Sequence, residues 1–410
     1  VAAAVGALAA TTVGLAPSAA AADAQSKQWY LGPMQAQNMW KVSTGKGVKV
    51  AVIDSGVNAN TSSLKGQVLT DEVPKSVDYR TTDDYDGHGT TIAELIAGTG
   101  AGGGLKGLAP GARIIPFRVK FDDLKGSASE LKKTPDPTQA IRAAADTDAK
   151  IINMSFGSEG PSSEEKAAIE YAASKGKLLI AAVGNDGQKS GDTIGYPAAF
   201  PYVVGVAAAD KSLTVSKFSS SGNYVDLSAP GQGFPGWCDA TFHSYCDNMN
   251  GTSSAAAITS GAAALIWSAH PDWTVNQVTR ALIDTAGRTW PKNNPSKYAG
   301  YGLIRPRLVL ANANYNPGPA HVDPLAKDNG GDLLAKSGSS VAASSSSDSA
   351  STPSQAPEKG SSGATSAAGS SVESSSGGSS NTTWIALGAV GAVVVVGGGA
   401  LAIARARRAR

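Results

Sequence analysis

Cysteine and histidine are scarce: two of the first and four of the second occur in 410 residues. No His-x-x-x-His pair and no Cys-rich cluster is present, which argues against a structural or catalytic zinc. Charge is sparse too, at 17 % of residues with a net value of +2. A nucleic-acid partner normally announces itself as a basic patch or stripe, and none is visible. Cys238 and Cys246 are read as one disulfide closing the short loop CDATFHSYC, since an exported protein meets an oxidising compartment. A metal held by the two cysteines with His243 between them fits no common zinc spacing.

Export is expected from the first segment. VAAAVGALAATTVGLAPSAAAADA (1–24) is an apolar run followed by small residues with A-x-A cleavage sites, which reads as a signal peptide, although a basic n-region is absent. Near the other end, 384–404 carry 21 residues without a charge, enough to cross a hydrocarbon core of about 30 Å. RARRAR (405–410) follows at once, so the expectation is one transmembrane helix with a cytoplasmic basic tail and everything before it outside the cell. Between them, 316–383 turn to Ser, Gly, Ala and Pro. Such a segment has too little apolar surface to offset its ordering entropy, and it reads as a disordered linker.

The middle is different. VKVAVID (48–54), ARIIPFRV (112–119), KIINMSF (150–156), KLLIAAVG (177–184) and YVVGVAAA (202–209) read as buried strands. PTQAIRAAADTDA (137–149) and SSEEKAAIEYAASKG (162–176) read as amphipathic helices, the second opened by Ser162 or Ser163 with Glu164 and Glu165 at its positive end. Alternating strand and helix implies an α/β fold: a mostly parallel sheet covered on both faces. In such folds the site lies at the carboxyl ends of the strands.

Three segments fit that placement. Asp54 ends the strand VKVAVID, a position where Asp is more often a turn-former. His88 lies between two glycines at the front of a helix in DGHGTTIAELIAG, where it could equally cap the helix. Ser253 stands at the start of the small-residue helix in NGTSSAAAITSGAAALIWSAH, where the dipole and free N–H groups favour developing negative charge. A Ser there is commonly just an N-cap.

Together, VAVIDSGV, DGHGT and NGTSSAA, in the order Asp, His, Ser, resemble the subtilisin-like serine proteases, or subtilases, across residues 28–310. The resemblance implies a three-layer α/β domain over 48–315, with 25–47 as an N-terminal extension. It makes Ser253 the nucleophile, His88 the general base and Asp54 the group that holds the imidazole. AAVGND (181–186) is similar to the family segment that supplies an oxyanion-hole amide, which assigns that role to Asn185. Ser155, Phe156 and Gly157 resemble the family's substrate-pairing edge, and Ala182 and Gly184, with GYPAA (195–199), would line the side-chain pocket. No organic cofactor is implied, no metal is assigned, and calcium is left open because no calcium loop stands out. A lipase or esterase is disfavoured: the nucleophile lies in GTSSA rather than G-x-S-x-G, and the chain order is wrong.

The chain departs from the family pattern at Ser254 and Ala257, where a large apolar residue and a proline are usual. Alanine is the better helix former, so the helix after Ser253 is expected to run straight. The stretch from residue 25 to Asp54 is too short for a sizeable folding propeptide. That short extension, the cysteine loop, the low-complexity tether and the C-terminal span resemble the mycosins, membrane-anchored subtilases associated with type VII secretion. Their resemblance implies a protein or peptide substrate, membrane attachment and type VII components as partners. A second reading makes the chain a scaffold of that apparatus, with proteolysis secondary.

Overall fold

A computed structural model describes residues 24–330 apart from 123 and 188–193. The expected signal peptide before Ala24, most of the linker, the membrane span and the basic tail lie outside the described residues. The strands are β1 (Lys49–Asp54), β2 (Arg113–Arg118), β3 (Ile151–Met154), β4 (Leu178–Ala182), β5 (Val203–Ala209), β6 (Leu227–Pro230), β7 (Gln232–Trp237) and β8 (Tyr245–Asn250). The helices are α1 (Ala36–Trp40), α2 (His88–Ala97), α3 (Ala128–Lys133), α4 (Pro137–Ala145), α5 (Ser163–Ser174), α6 (Thr252–Ala269), α7 (Val275–Thr285), α8 (Pro306–Leu310) and α9 (Ala326–Asn329).

The main sheet has the order β2-β1-β3-β4-β5-β6, and each of its pairings is parallel. Its strands are mostly apolar because both faces are covered. Along β1, Val50 and Val52 enter the core shared with α2, α6 and α7, whereas Ala51 and Ile53 enter the core shared with α4 and α5. The result is three layers, helix, sheet, helix. Strand order reverses beside β1, between β2 on one side and β3 on the other. A crevice opens at such a reversal, outside the carboxyl ends of the strands, and Asp54 and Ser155 stand there.

Local signals explain the helices flanking that crevice. Ser162 caps α5 by accepting from the Glu165 N–H, and Asp136 and Gln139 form a reciprocal capping box across the first turn of α4, with Pro137 as its first residue. Helix α6 runs unbroken from Thr252 to Ala269, with Ala257 fully buried inside it. Alanine leaves the backbone hydrogen bond that proline would remove. The N-terminal extension packs into the same core as α2 and α6 through Tyr30, Met34 and Met39.

Two features differ from the sequence expectations. Ordered structure continues past residue 316, where the linker was placed: Leu325 is buried, and Asn329 of α9 donates to Asp226 at 3.1 Å. The cysteine loop is the tip of an antiparallel hairpin, β7–β8, two strands that the sequence reading did not include. Cys238 and Cys246 form the expected disulfide, so neither sulfur is a metal ligand.

Candidate active site

Asp54 is the last residue of β1 and is almost wholly buried, at 1 % exposure. Its Oδ1 lies 2.7 Å from His88 Nδ1 and accepts from the Ser55 N–H at 2.8 Å. That bond makes Nδ1 the donor and leaves Nε2 to act as the base. The histidine is held from below by a dense cap. Asp84 accepts from the N–H groups of Asp86 and Gly87 through one oxygen, and from the N–H and hydroxyl of Thr90 through the other. The Ser55 hydroxyl donates to Asp84 and accepts from the Gly89 N–H, tying the end of β1 to the start of α2. Gly89 has to be glycine, because a Cβ there would lie 2.1 Å from the Gly56 carbonyl.

Burial opposes the charged imidazolium of His88, but the Asp54 carboxylate, by its charge and its hydrogen bond, outweighs it with help from Asp86 and Asp84. The net effect pushes His88 up to about 9. The result is an imidazole that keeps its proton until pH rises past that value.

Ser253 occupies the first turn of α6, where backbone N–H groups have no intrahelical acceptor. Its own hydroxyl donates to the Ser155 carbonyl at 3.0 Å, and the Ser155 hydroxyl donates back to the Ser253 carbonyl at 3.1 Å. Among the described residues, Ser253 and His88 share no hydrogen bond. The Ser155 side chain is set from behind by Asn153, which donates to it at 2.8 Å and accepts from Ser260 at 2.9 Å.

Asn185 follows β4. Its Oδ1 accepts from both the N–H and the hydroxyl of Thr252, each at 3.0 Å, and the Thr252 hydroxyl also accepts from the Gly184 N–H. With Oδ1 so occupied, the amide nitrogen is the free end. A Cβ built on Gly251 would lie 3.8 Å from the Ser253 nitrogen and 4.0 Å from Asn185 Nδ2. Both donors therefore lie near the open side of Gly251.

The expected substrate edge and pocket come together as well. Ser155, Phe156 and Gly157 continue from β3, beside Ala182 at the end of β4, because the register pairs Met154 with Ala181. Gly184 follows with φ +106, a conformation suited to glycine. Ser158 and Tyr196 exchange backbone hydrogen bonds at 2.8 and 2.9 Å, which brings the 195–199 segment alongside. Phe156 packs against Phe121, ring centroids 5.3 Å apart.

Sequence reasoning passed over Ser55, Asp84, Asn153 and Thr252. Each is a common polar residue whose role depends on a partner distant in the chain. Only Asp84 left a signal, as an Asp placed to cap the turn before a helix.

The family model described as "Subtilase family" matches residues 45–302. Subtilisin E of Bacillus subtilis (strain 168) is 37 % identical over 267 residues, covering 64 % of this chain and 65 % of that relative, so the chain spans about two thirds of its length. The structure of the MycP3 protease from the type VII (ESX-3) secretion system aligns with a TM-score of 0.56 at 29 % identity, over 69 % of this chain and 87 % of that one. MycP1 from Mycobacterium smegmatis aligns with a TM-score of 0.56 at 27 % identity, over 71 % and 86 %. With its sheet order, its Asp54, His88 and Ser253 segments and a family match across most of the folded region, the chain belongs to the subtilase family.

Proposed function

We propose that this chain is a serine endopeptidase that hydrolyses peptide bonds through an acyl-enzyme, acting outside the cell from a single membrane span and in association with type VII protein secretion. The observation that supports the chemistry is the Asp54–His88 bond, already made at 2.7 Å. Ser253 is tied to Ser155, which follows β3 beside β1, and Asn185, which follows β4, is tied to Thr252 next to Ser253. In this reading the Ser253 hydroxyl turns about its χ1 bond from the Ser155 carbonyl to His88 Nε2, which takes its proton as the oxygen attacks the scissile carbonyl. Asp54 steadies the imidazolium. Ser253 N–H and Asn185 Nδ2 hold the oxyanion, and His88 then returns the proton to the leaving amine. Water repeats the sequence on the ester. The anchoring rests on the uncharged run 384–404 and the arginines after it, and the secretion link rests on the mycosin neighbours.

The direct test is to incubate the purified chain with a denatured protein and map the new termini by mass spectrometry. Internal cleavages are expected. Their absence from a folded preparation at every pH between about 6 and 10 would end the endopeptidase reading.

The base must be neutral to act, and His88 becomes neutral only as pH rises through its raised value of about 9. kcat/KM is therefore expected to climb with pH and level off above that point. Asp86→Asn removes one of the charges that favour the imidazolium, so the rising limb should move to lower pH; a limb that stays put contradicts the assignment.

Asn185→Ala is expected to lower kcat by about 10²–10³ with little change in KM, since the lost donor serves the transition state alone. A loss confined to KM would make Asn185 a ground-state contact.

One observation favours a second reading. The Ser253 hydroxyl rests on Ser155, with no bond to His88 among the described residues, so the catalytic contact is not pre-made. On that reading the chain is a scaffold of the secretion apparatus. Secretion restored to a deletion strain by the Ser253→Ala chain would support the scaffold, and failure to restore it would support catalysis.

A further inference from the structure

The helix that carries His88 is also the surface on which the disulfide-closed hairpin stands. Three contacts mark it, at positions 87, 91 and 94, which the helical period places on one face. Beside Gly87, a Cβ would lie 2.8 Å from the Asp239 carbonyl, so the hairpin tip packs directly against the residue before His88. One turn on, Thr91 Oγ1 accepts from the Trp237 N–H at 3.0 Å and donates to the Gly87 carbonyl at 2.9 Å. Next, Glu94 Oε2 accepts from the Tyr245 hydroxyl at 2.7 Å, while its Oε1 accepts from Thr61 at 2.7 Å.

Glu94 is fully buried, and no salt bridge joins it to a cation among the described residues. Burial pushes it up to about 7, against the hydrogen bonds from Tyr245 and Thr61 that favour the carboxylate. An acid in such a place costs stability that an apolar side chain would not. What it provides is direction, since it holds one hydroxyl of the hairpin at one point on α2.

The hairpin has a second attachment. β8 ends at Asn250 and passes through Gly251 straight into Thr252 and Ser253. Tyr245 stacks on Trp237 with ring centroids 3.9 Å apart, and the Cys238–Cys246 bond crosses that pair diagonally, from the residue after Trp237 to the residue after Tyr245. The strand pair is thereby kept from sliding. A rigid strap runs from the helix of the base to the residue that attacks.

We propose that Tyr245, Glu94 and Thr91 are positioning residues that lock this hairpin to α2 and so fix the separation of His88 from Ser253. The proposal deepens the serine-peptidase reading and rests on it. None of the three touches the reacting atoms.

Tyr245→Phe is the sharpest test, because it removes one hydroxyl and leaves the ring on Trp237. We expect kcat to fall by about 10- to 100-fold with KM within about twofold, the signature of a misplaced catalytic pair. The rate at which a fluorophosphonate labels Ser253 should fall by the same factor. Thr91→Val, which breaks the neighbouring rung, should act in the same direction. Glu94→Gln keeps an acceptor for Tyr245 and should retain most of the activity. A melting temperature that falls while kcat holds would make the hairpin a stabilising strut and overturn the proposal; so would a rise in KM alone, which would place Tyr245 in substrate binding. If the unmutated chain neither labels nor cleaves, the peptidase reading fails by itself. Positioning is then judged on the His88 Nδ1 proton resonance, expected to shift in Tyr245→Phe and, if it does not move, contradicting the proposal.

Discussion

Ser253→Ala is expected to reduce kcat on a peptide substrate by about 10⁶, the scale that loss of the nucleophile produces in subtilisin. At 1.36 kcal/mol per factor of ten, this corresponds to about 8 kcal/mol of barrier. The loss is large because every other part of the site serves the oxygen of this one side chain. His88 has no proton to take without it, and the N–H of residue 253 and Asn185 would wait on an oxyanion that never forms. A small residual rate should survive from those donors and from substrate binding. The fold should not suffer: among the described residues the Ser253 hydroxyl makes one hydrogen bond, to Ser155, and alanine is favoured in a helix. Equal melting temperatures with a loss of this order support the account. A loss of only a few fold, in folded protein, would mean that another residue attacks.

Asp54→Asn is expected to lower kcat by about 10⁴, or about 5.5 kcal/mol, again with the fold intact. The geometry gives the reason. Asp54 Oδ1 accepts from His88 Nδ1, so the imidazole presents Nε2 as the base; an amide nitrogen in that place would donate to Nδ1 and reverse the tautomer. The same change removes the charge that outweighs burial in raising His88. Residual activity should consequently reach its plateau at lower pH than in the unmutated enzyme. Activity that falls without that displacement would leave the carboxylate a merely structural part. Its second oxygen, Oδ2, is buried with no hydrogen-bond partner among the described residues, so the carboxylate is held through Oδ1 alone.

How far these conclusions could be read from sequence follows from the range of the forces involved. Five strands of the main sheet were legible because a strand covered on both faces favours an apolar run, as in Lys49–Asp54 and Val203–Ala209; the edge strand Leu227–Pro230, four residues with Ser228 among them, was not. His88 was legible through its glycine neighbours, and Ser253 through the small residues that let α6 sink into the core. The hairpin was not. β8 reads YCDNMN, mostly exposed and without alternation, and its pairing is imposed by Phe234 and Trp237 on the opposite strand and by the disulfide. α9 was missed for a similar reason: four residues carry no period, and its place is fixed by Asn329 reaching Asp226, a partner 103 positions away. The bond between Ser253 and Ser155 involves a backbone carbonyl, a group that every residue has, and no pattern of side chains could disclose it.

The central claim is that Asp54, His88 and Ser253 act as one proton-transfer line. Its most direct test is to treat the purified chain with a fluorophosphonate across pH and locate the adduct by peptide mapping. The account predicts a single adduct on Ser253, formed at a rate that rises with pH towards about 9 and is lost in His88→Ala. An adduct on a different residue, or an unlabelled Ser253 in folded protein at every pH, would contradict it.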